Sequence, residues 1–198
     1  VSAVIKRFSK TAEIPKQVTS PGSLGVEIKI VYPELRPSSG KDPAVEAINA
    51  AILEAILSED ESKSQTKSID QFMENFVTEF KSAIKENPEM MGGWALEIEV
   101  KIRHVDEVLF CVETTTYSFT GGAHPNTNVS YRVFSMKSGT EVKLPEIVPL
   151  EKIPALTRIA EKEFRRVREV KPNESLQDLG FTFEKNEFAL NGNFLVSK

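Results

Sequence analysis

From Trp94 to Arg103 the chain alternates with a period of two. Trp94, Leu96, Ile98, Val100 and Ile102 fall on one side, and Ala95, Glu97, Glu99, Lys101 and Arg103 on the other. Successive side chains of a strand point to opposite faces, so this is a strand with one face against a core and one in water. Asp106 and Glu107 make a short turn, and Val108 to Phe119 follows as a second strand, apolar at its start and rich in Thr114, Thr115 and Thr116 towards its end. So short a connection joins antiparallel neighbours. The rest of the chain has to be arranged around that hairpin.

Other segments extend the sheet. Leu24, Val26, Ile28, Ile30 and Tyr32 alternate with Gly25, Glu27, Lys29 and Val31, a strand ended by Pro33 and Pro37. Val4 to Phe8 supplies a first strand, joined to it through the turn-rich Val18 to Ser23. Val129 to Met136 is a further strand, and Lys137-Ser138-Gly139-Thr140 turns the chain into a short one through Val142 and Leu144.

Two helices stand between the early strands and the hairpin. Asp42 before Pro43 reads as an N-cap with proline at the first helical position, where no N–H is missed, and Val45, Ile48, Ile52 and Ile56 recur at helical spacing to Leu57. A polar segment, Ser58 to Lys67, leads to Ser68 and Gln71 at capping-box spacing. Ile69, Phe72, Met73, Phe76, Val77, Phe80 and Ile84 then form one stripe, which could be a ligand or partner groove and is read as the buried face of a helix lying on a sheet. A last helix carries Leu156, Ile159, Ala160, Phe164, Val167 and Val170 on one side; Arg158, Lys162, Arg165, Arg166 and Arg168 lie mostly on the other, interleaved with Glu161 and Glu169, and are read as a solvated mixed-charge face rather than a surface for an anionic polymer. Glu163 interrupts the apolar side and is expected either to reach solvent or to pair with a cation. Asn191-Gly192-Asn193 suggests a hairpin or bulge near the end. The fold expected is α+β: a mainly antiparallel sheet from the strands near Leu24, Trp94, Val108, Val129 and Val142, with two to three helices packed on it.

Composition narrows the function. The 198 residues include 25 Lys and Arg against 29 Asp and Glu, a net charge of −4, which argues against a general nucleic-acid binder. Apolar runs such as Ala50 to Leu57 are broken by charge well short of the roughly 18 residues of a membrane span. The single cysteine, Cys111, cannot pair within the chain and reads as a small buried hydrophobe. A start at Val1 without an initiator Met fits a mature or trimmed chain.

The unusual local feature is the loop Thr120-Gly121-Gly122-Ala123-His124-Pro125-Asn126 between two strands. Two glycines permit close approach of another chain or ligand, and Pro125 pushes His124 towards an extended backbone. Tyr117, Thr120, Gly121, Gly122, Ala123, His124 and Asn126 are therefore the candidate binding residues, with a structural alternative in which His124 ties the loop by bonding to main chain, near Tyr117 or Tyr131. Catalysis finds little support: Glu113, Tyr117 and Ser118 lie nearby, but no nucleophile elbow is present and Ser118 should point away from Glu113 and Tyr117. With two histidines in no ligand spacing, His104 in phase with the apolar face of its own strand and His124 in the loop, no metal site is expected. No phosphate loop or dinucleotide fingerprint implies a cofactor.

Tyr117 to Asn126, then Phe134-Ser135-Met136-Lys137-Ser138-Gly139 and Val142 to Val148, with Asn191-Gly192-Asn193-Phe194 near the end, resemble a family of bacterial extracytoplasmic domains of unknown function. The family occurs as the lysozyme-sensing ectodomain of an anti-sigma factor and as the accessory module of a peptidoglycan deacetylase. The resemblance runs from about Trp94 onward and implies the same α+β fold. It further implies a single compact unit over 1–198 with an N-terminal half over about 1–120 and a C-terminal half over 121–198. Relatives continue with another aromatic strand where this chain stops at Lys198, so an uncovered sheet edge is expected. By resemblance the chain is a non-catalytic cell-envelope binding or sensing module, its partner a lysozyme-like protein or a cell-wall glycan such as peptidoglycan. It would be extracytoplasmic, periplasmic or at the cell surface, and tied to the membrane by a lipid or a single span outside this chain. The alternative is a cell-wall hydrolase or deacetylase using His124 as general base or metal ligand.

Overall fold

Five strands form one sheet in sequence order: β1 (Ser2–Glu13), β2 (Gly25–Arg36), β3 (Trp94–Val105), β4 (Leu109–Phe119) and β5 (Asn126–Ser135). The computed structural model describes residues 1–13, 25–60, 66–87, 92–183, 185 and 187–196. Leu24, the Val18 to Ser23 connection, and Met90 and Met91 of the Met90 to Gly93 turn that the sequence places before the Trp94 strand lie outside them. Three of the four strand pairings are antiparallel. The exception is β2 with β3, parallel over Val26↔Trp94 to Val31↔Glu99, because α1 (Pro43–Leu57) and α2 (Ile69–Glu86) intervene and return the chain to the same end of the sheet.

Both helices start as their sequences dictate. The Asp42 carboxylate accepts from the N–H groups of Ala44 at 2.9 Å and Val45 at 3.4 Å. The Ser68 hydroxyl accepts from Gln71 N at 3.2 Å, while the Gln71 side chain accepts from Lys67 N one residue further back than a capping box requires. Val45, Ile48, Ile52 and Ile56 of α1 and Ile69, Phe72, Met73, Val77 and Phe80 of α2 are buried against Val26, Ile28, Ile30, Leu96, Ile98 and Val100 of the sheet. Each such side chain removed from water contributes about 1.5–3 kcal/mol, which makes this layer the main source of stability.

Several sequence expectations are corrected. Pro33 does not end β2, which runs on to Arg36 paired with β1. The parallel partner stops at Val31↔Glu99, so beyond it one edge of β2 is open and a residue lacking N–H is tolerated there. No strand passes through Val142 and Leu144: a single bridge pairs Phe134 with Glu141, and Leu144–Ile147 is a short helix, α3, with Pro145 in its first turn. His104 does not stay in phase with Ile102. A register shift between them pairs His104 with Cys111 on the sheet's other face.

By contact the chain groups into two units, Val1–Glu141 with Leu195–Lys198, and Val142–Phe194. A division at residue 121 would cut the β4–β5 pair, whose register holds Ser118 opposite Asn126. In the smaller unit α3 and a 3-10 turn (Leu150–Lys152) precede α4 (Ile153–Val167). Phe164 of α4 packs with Phe181, Phe183 and Phe188 at centroid distances of 5.0 to 6.2 Å. The chain leaves α4 with Glu169 at φ 56 and Val170 N donating to Arg165 O, and the Arg165 side chain then donates to the carbonyls of Lys171 and Glu174. Ile159 and Val167 are exposed, so the expected apolar side of α4 is narrower, centred on Leu156, Ala160 and Phe164. Glu163 faces solvent and pairs with Arg166. Asn191-Gly192-Asn193 forms no hairpin: Asn193 N donates to the Asn191 side chain in a local turn, and no strand is present among the described residues there.

Candidate functional site

Along β4 the residues in phase with the helix layer begin apolar, with Phe110 and Val112 fully buried, and then become hydroxyls at Thr114, Thr116 and Ser118. Where that change occurs, a cavity of about 250 Å³ opens between the sheet and α2. Its floor is Leu96 with Thr116, Ser118 and Thr120, its aromatic walls are Phe72, Phe76 and Trp94, and Glu59, Asp60 and Glu79 complete the lining. Trp94 is fixed by two tilted ring contacts, to Phe76 at 5.4 Å and Phe80 at 5.6 Å, each worth about 0.5–1.5 kcal/mol beyond the area buried. Its indole N–H is buried and has no hydrogen-bond partner among the described residues, an unsatisfied donor beside the cavity.

The Asp60 carboxylate is held in place. The Thr66 hydroxyl and the Asn75 side-chain amide both donate to its Oδ2, and Asn75 also donates to Thr66 at 3.0 Å. This network ties the end of the α1–α2 connection to the middle of α2.

The loop singled out from sequence contributes less than expected. Thr120 lines the cavity. Tyr117 points to the opposite face, since it sits between Thr116 and Ser118 on the strand. Gly121 takes φ 86, the left-handed conformation its lack of Cβ allows. Gly122, Ala123, His124 and Asn126 are exposed. The His124 Nδ1 lies 3.2 Å from the carbonyl of the adjacent Pro125, and among the described residues no hydrogen bond joins the ring to Tyr117 or Tyr131. Tyr131 instead bonds to Glu113 on the face away from the helices. There Arg103 donates to both Glu113 oxygens at 2.5 and 3.0 Å, and this bonding holds the Glu113 carboxyl below its ordinary range.

Trp94, Phe72, Phe76 and the row Thr114, Thr116, Ser118 are the residues sequence reasoning assigned to the core or passed over. The signal was present in the run of threonines, which replaces the apolar phase of a strand whose neighbour β3 keeps its own. No helix among the described residues is long and apolar enough to cross a membrane, and no group of three or more His, Cys, Asp or Glu side chains there is placed to hold a metal ion.

A sheet of this order with two helices inserted between β2 and β3 defines an α+β domain whose fold is seen in two solved structures. A DUF3298-family protein from Bacteroides fragilis superposes with a TM-score of 0.72 at 18% identity, over 98% of this chain and 79% of that one. A DUF3298-family protein from Pseudomonas aeruginosa does so with a TM-score of 0.60 at 17% identity, over 92% of this chain and 76% of that one. At these identities the likeness is one of fold. Residues 24–127, just over half of the chain, match the family described as Deacetylase PdaC, and the chain belongs to that family. No curated protein matches.

Proposed function

We propose that this chain is a non-catalytic binding module of the bacterial cell envelope, located outside the cytoplasmic membrane and anchored by a segment outside this chain, with a cell-wall glycan as its ligand. The observation that carries the reading is the cavity in which Trp94 and Phe76 stand beside Thr116, Ser118 and Thr120. Sugars present apolar C–H faces and hydroxyl edges together, and an aromatic wall over a hydroxyl floor offers a partner to each. Membership of the family described as Deacetylase PdaC, together with the resemblance to the accessory module of a peptidoglycan deacetylase, supports the choice of ligand. A hydrolytic role for His124 would call for a carboxylate or hydroxyl at the ring. Its hydrogen-bond contact is the Pro125 carbonyl, which favours binding over catalysis.

Trp94 is the single tryptophan of the chain, so its emission reports on the cavity directly. Titration with soluble peptidoglycan fragments is expected to change Trp94 emission saturably, and calorimetry with the same fragments is expected to show a Trp94→Phe variant losing affinity. Calorimetry against lysozyme runs beside it. Binding of lysozyme with no response to glycans would move the reading to a protein-sensing module, and silence from both would overturn it.

A further inference from the structure

The helix layer covers β5 only at one end. Phe134 is fully buried, and Arg132, two residues earlier on the same face, donates to the α1 carbonyl of Ala51 at 2.6 Å and to Glu141 at 2.8 Å. Beyond Arg132 the same face carries Ser130, Asn128 and Asn126, with Ser130 half-buried and both asparagines exposed. In the antiparallel register these stand directly opposite Thr114, Thr116 and Ser118 of β4. Directly paired residues share a face, so three successive cross-strand pairs, all neutral hydroxyls and amides, form one row beside the cavity. Among the described residues the side chains of Thr114, Ser118, Asn126, Asn128 and Ser130 make no hydrogen bond to another protein group.

We propose that this row is a second subsite, which extends the Trp94 cavity and takes the continuing chain of an extended, hydroxyl-rich oligosaccharide. The inference rests on the glycan reading above and adds where, and by what chemistry, a longer ligand is held. Pairs on one face recur about every 6.8 Å along a strand and are about 5 Å apart across it, so the row presents a regular grid of donors and acceptors. A hydroxyl is both donor and acceptor, and a side-chain amide supplies one of each type side by side. That set matches the hydroxyl and acetamido groups of a sugar chain. It matches a peptide poorly, since the row offers neither a charge nor an apolar pocket for side chains. An edge strand can also carry polar side chains simply to discourage pairing with other sheets. That role predicts an effect on self-association and none on ligand length.

The test uses chitin oligosaccharides of increasing length as probes, followed through Trp94 emission, on the wild-type chain and on an Asn126→Ala/Asn128→Ala variant. Both asparagines are exposed and without side-chain bonds, so the variant is expected to keep the wild-type unfolding midpoint. In the wild type, affinity is expected to rise with length. In the variant the shortest binding probe keeps its affinity, and the longest loses about thirtyfold, as removal of two hydrogen bonds of ordinary strength implies. Wild-type affinity independent of length, or a length dependence the variant retains, would overturn the second subsite and leave the cavity reading in place. No response to any oligosaccharide would remove both.

Discussion

Replacing Gly139 by alanine tests how the sheet and α1 are locked together. Gly139 sits in the turn after β5 with φ 73, its N–H donating to Ser135 O at 2.8 Å. A Cβ added there would stand 2.4 Å from the carbonyl oxygen of Ala44 and 2.8 Å from the Cβ of Ala47, both in the first turns of α1. The turn therefore rests directly on helix backbone, and the substitution meets two costs. A left-handed conformation costs a non-glycine residue about 1–2 kcal/mol. Overpacking against backbone that cannot yield adds about 1–3 kcal/mol. The smaller unfolded-state entropy of alanine offsets roughly 0.4–1 kcal/mol, which leaves a loss of about 2–4 kcal/mol. Gly40 supplies the control: its φ is 60, and a Cβ there would meet nothing within 4 Å. Gly40→Ala should thus lose about 1 kcal/mol or less. Urea denaturation followed by Trp94 emission compares the two variants on one signal. If Gly139→Ala and Gly40→Ala agreed within about 0.5 kcal/mol, the close packing of this turn on α1 would be refuted.

Three further outcomes are expected. Asp42→Ala removes the carboxylate that caps α1 and should cost about 1 kcal/mol in the same assay, whereas no change would mean the cap is unimportant. The Asp106 carboxyl is held down to about 2 by the N–H of Leu109, then by His104 and the N–H of Val108. Its folded value is depressed, so its contribution is complete above the ordinary carboxylate range and is lost as pH falls from about 4 towards 2. Its side-chain carbon resonance should titrate with a midpoint near 2, and a midpoint near 4 would mean the β3–β4 turn does not hold it. His124→Ala should leave the unfolding free energy within about 0.5 kcal/mol, because the ring is exposed and its hydrogen-bond contact among the described residues is the neighbouring carbonyl. A loss of 1 kcal/mol or more would restore a loop-tying role.

Much of the fold is legible where local chemistry and global packing agree. Asp42-Pro43 starts α1, the Phe72–Phe80 stripe buries α2, and the alternation from Trp94 pairs with β4 in the expected sense. What local pattern does not carry is what depends on a partner strand's extent. Pro33 breaks a strand unless its outer edge is vacant, and that depends on β3 ending opposite Val31. His104 keeps phase with Ile102 unless a register shift intervenes, and the shift lies in the pairing with Cys111. The candidate site shows the same division. The glycine-rich loop is conspicuous in sequence because its residues are conformationally unusual, yet it contributes Thr120 alone to the cavity. Trp94 and Phe76 have the same periodicity as core residues, and their place at the end of the helix layer is a matter of how far α2 reaches across the sheet. The threonines of β4 were the available clue, since hydroxyls in an apolar phase require either buried partners or an open face.

The most direct test of the account is a nitrogen-resolved NMR titration with soluble peptidoglycan glycan fragments, in which the single tryptophan gives one indole resonance. The account predicts that the Trp94 indole N–H and the amides of Thr116, Ser118 and Asn128 shift together and saturate at one concentration. Shifts confined to the His124 loop or to residues 142–194, with Trp94 unmoved, would contradict it.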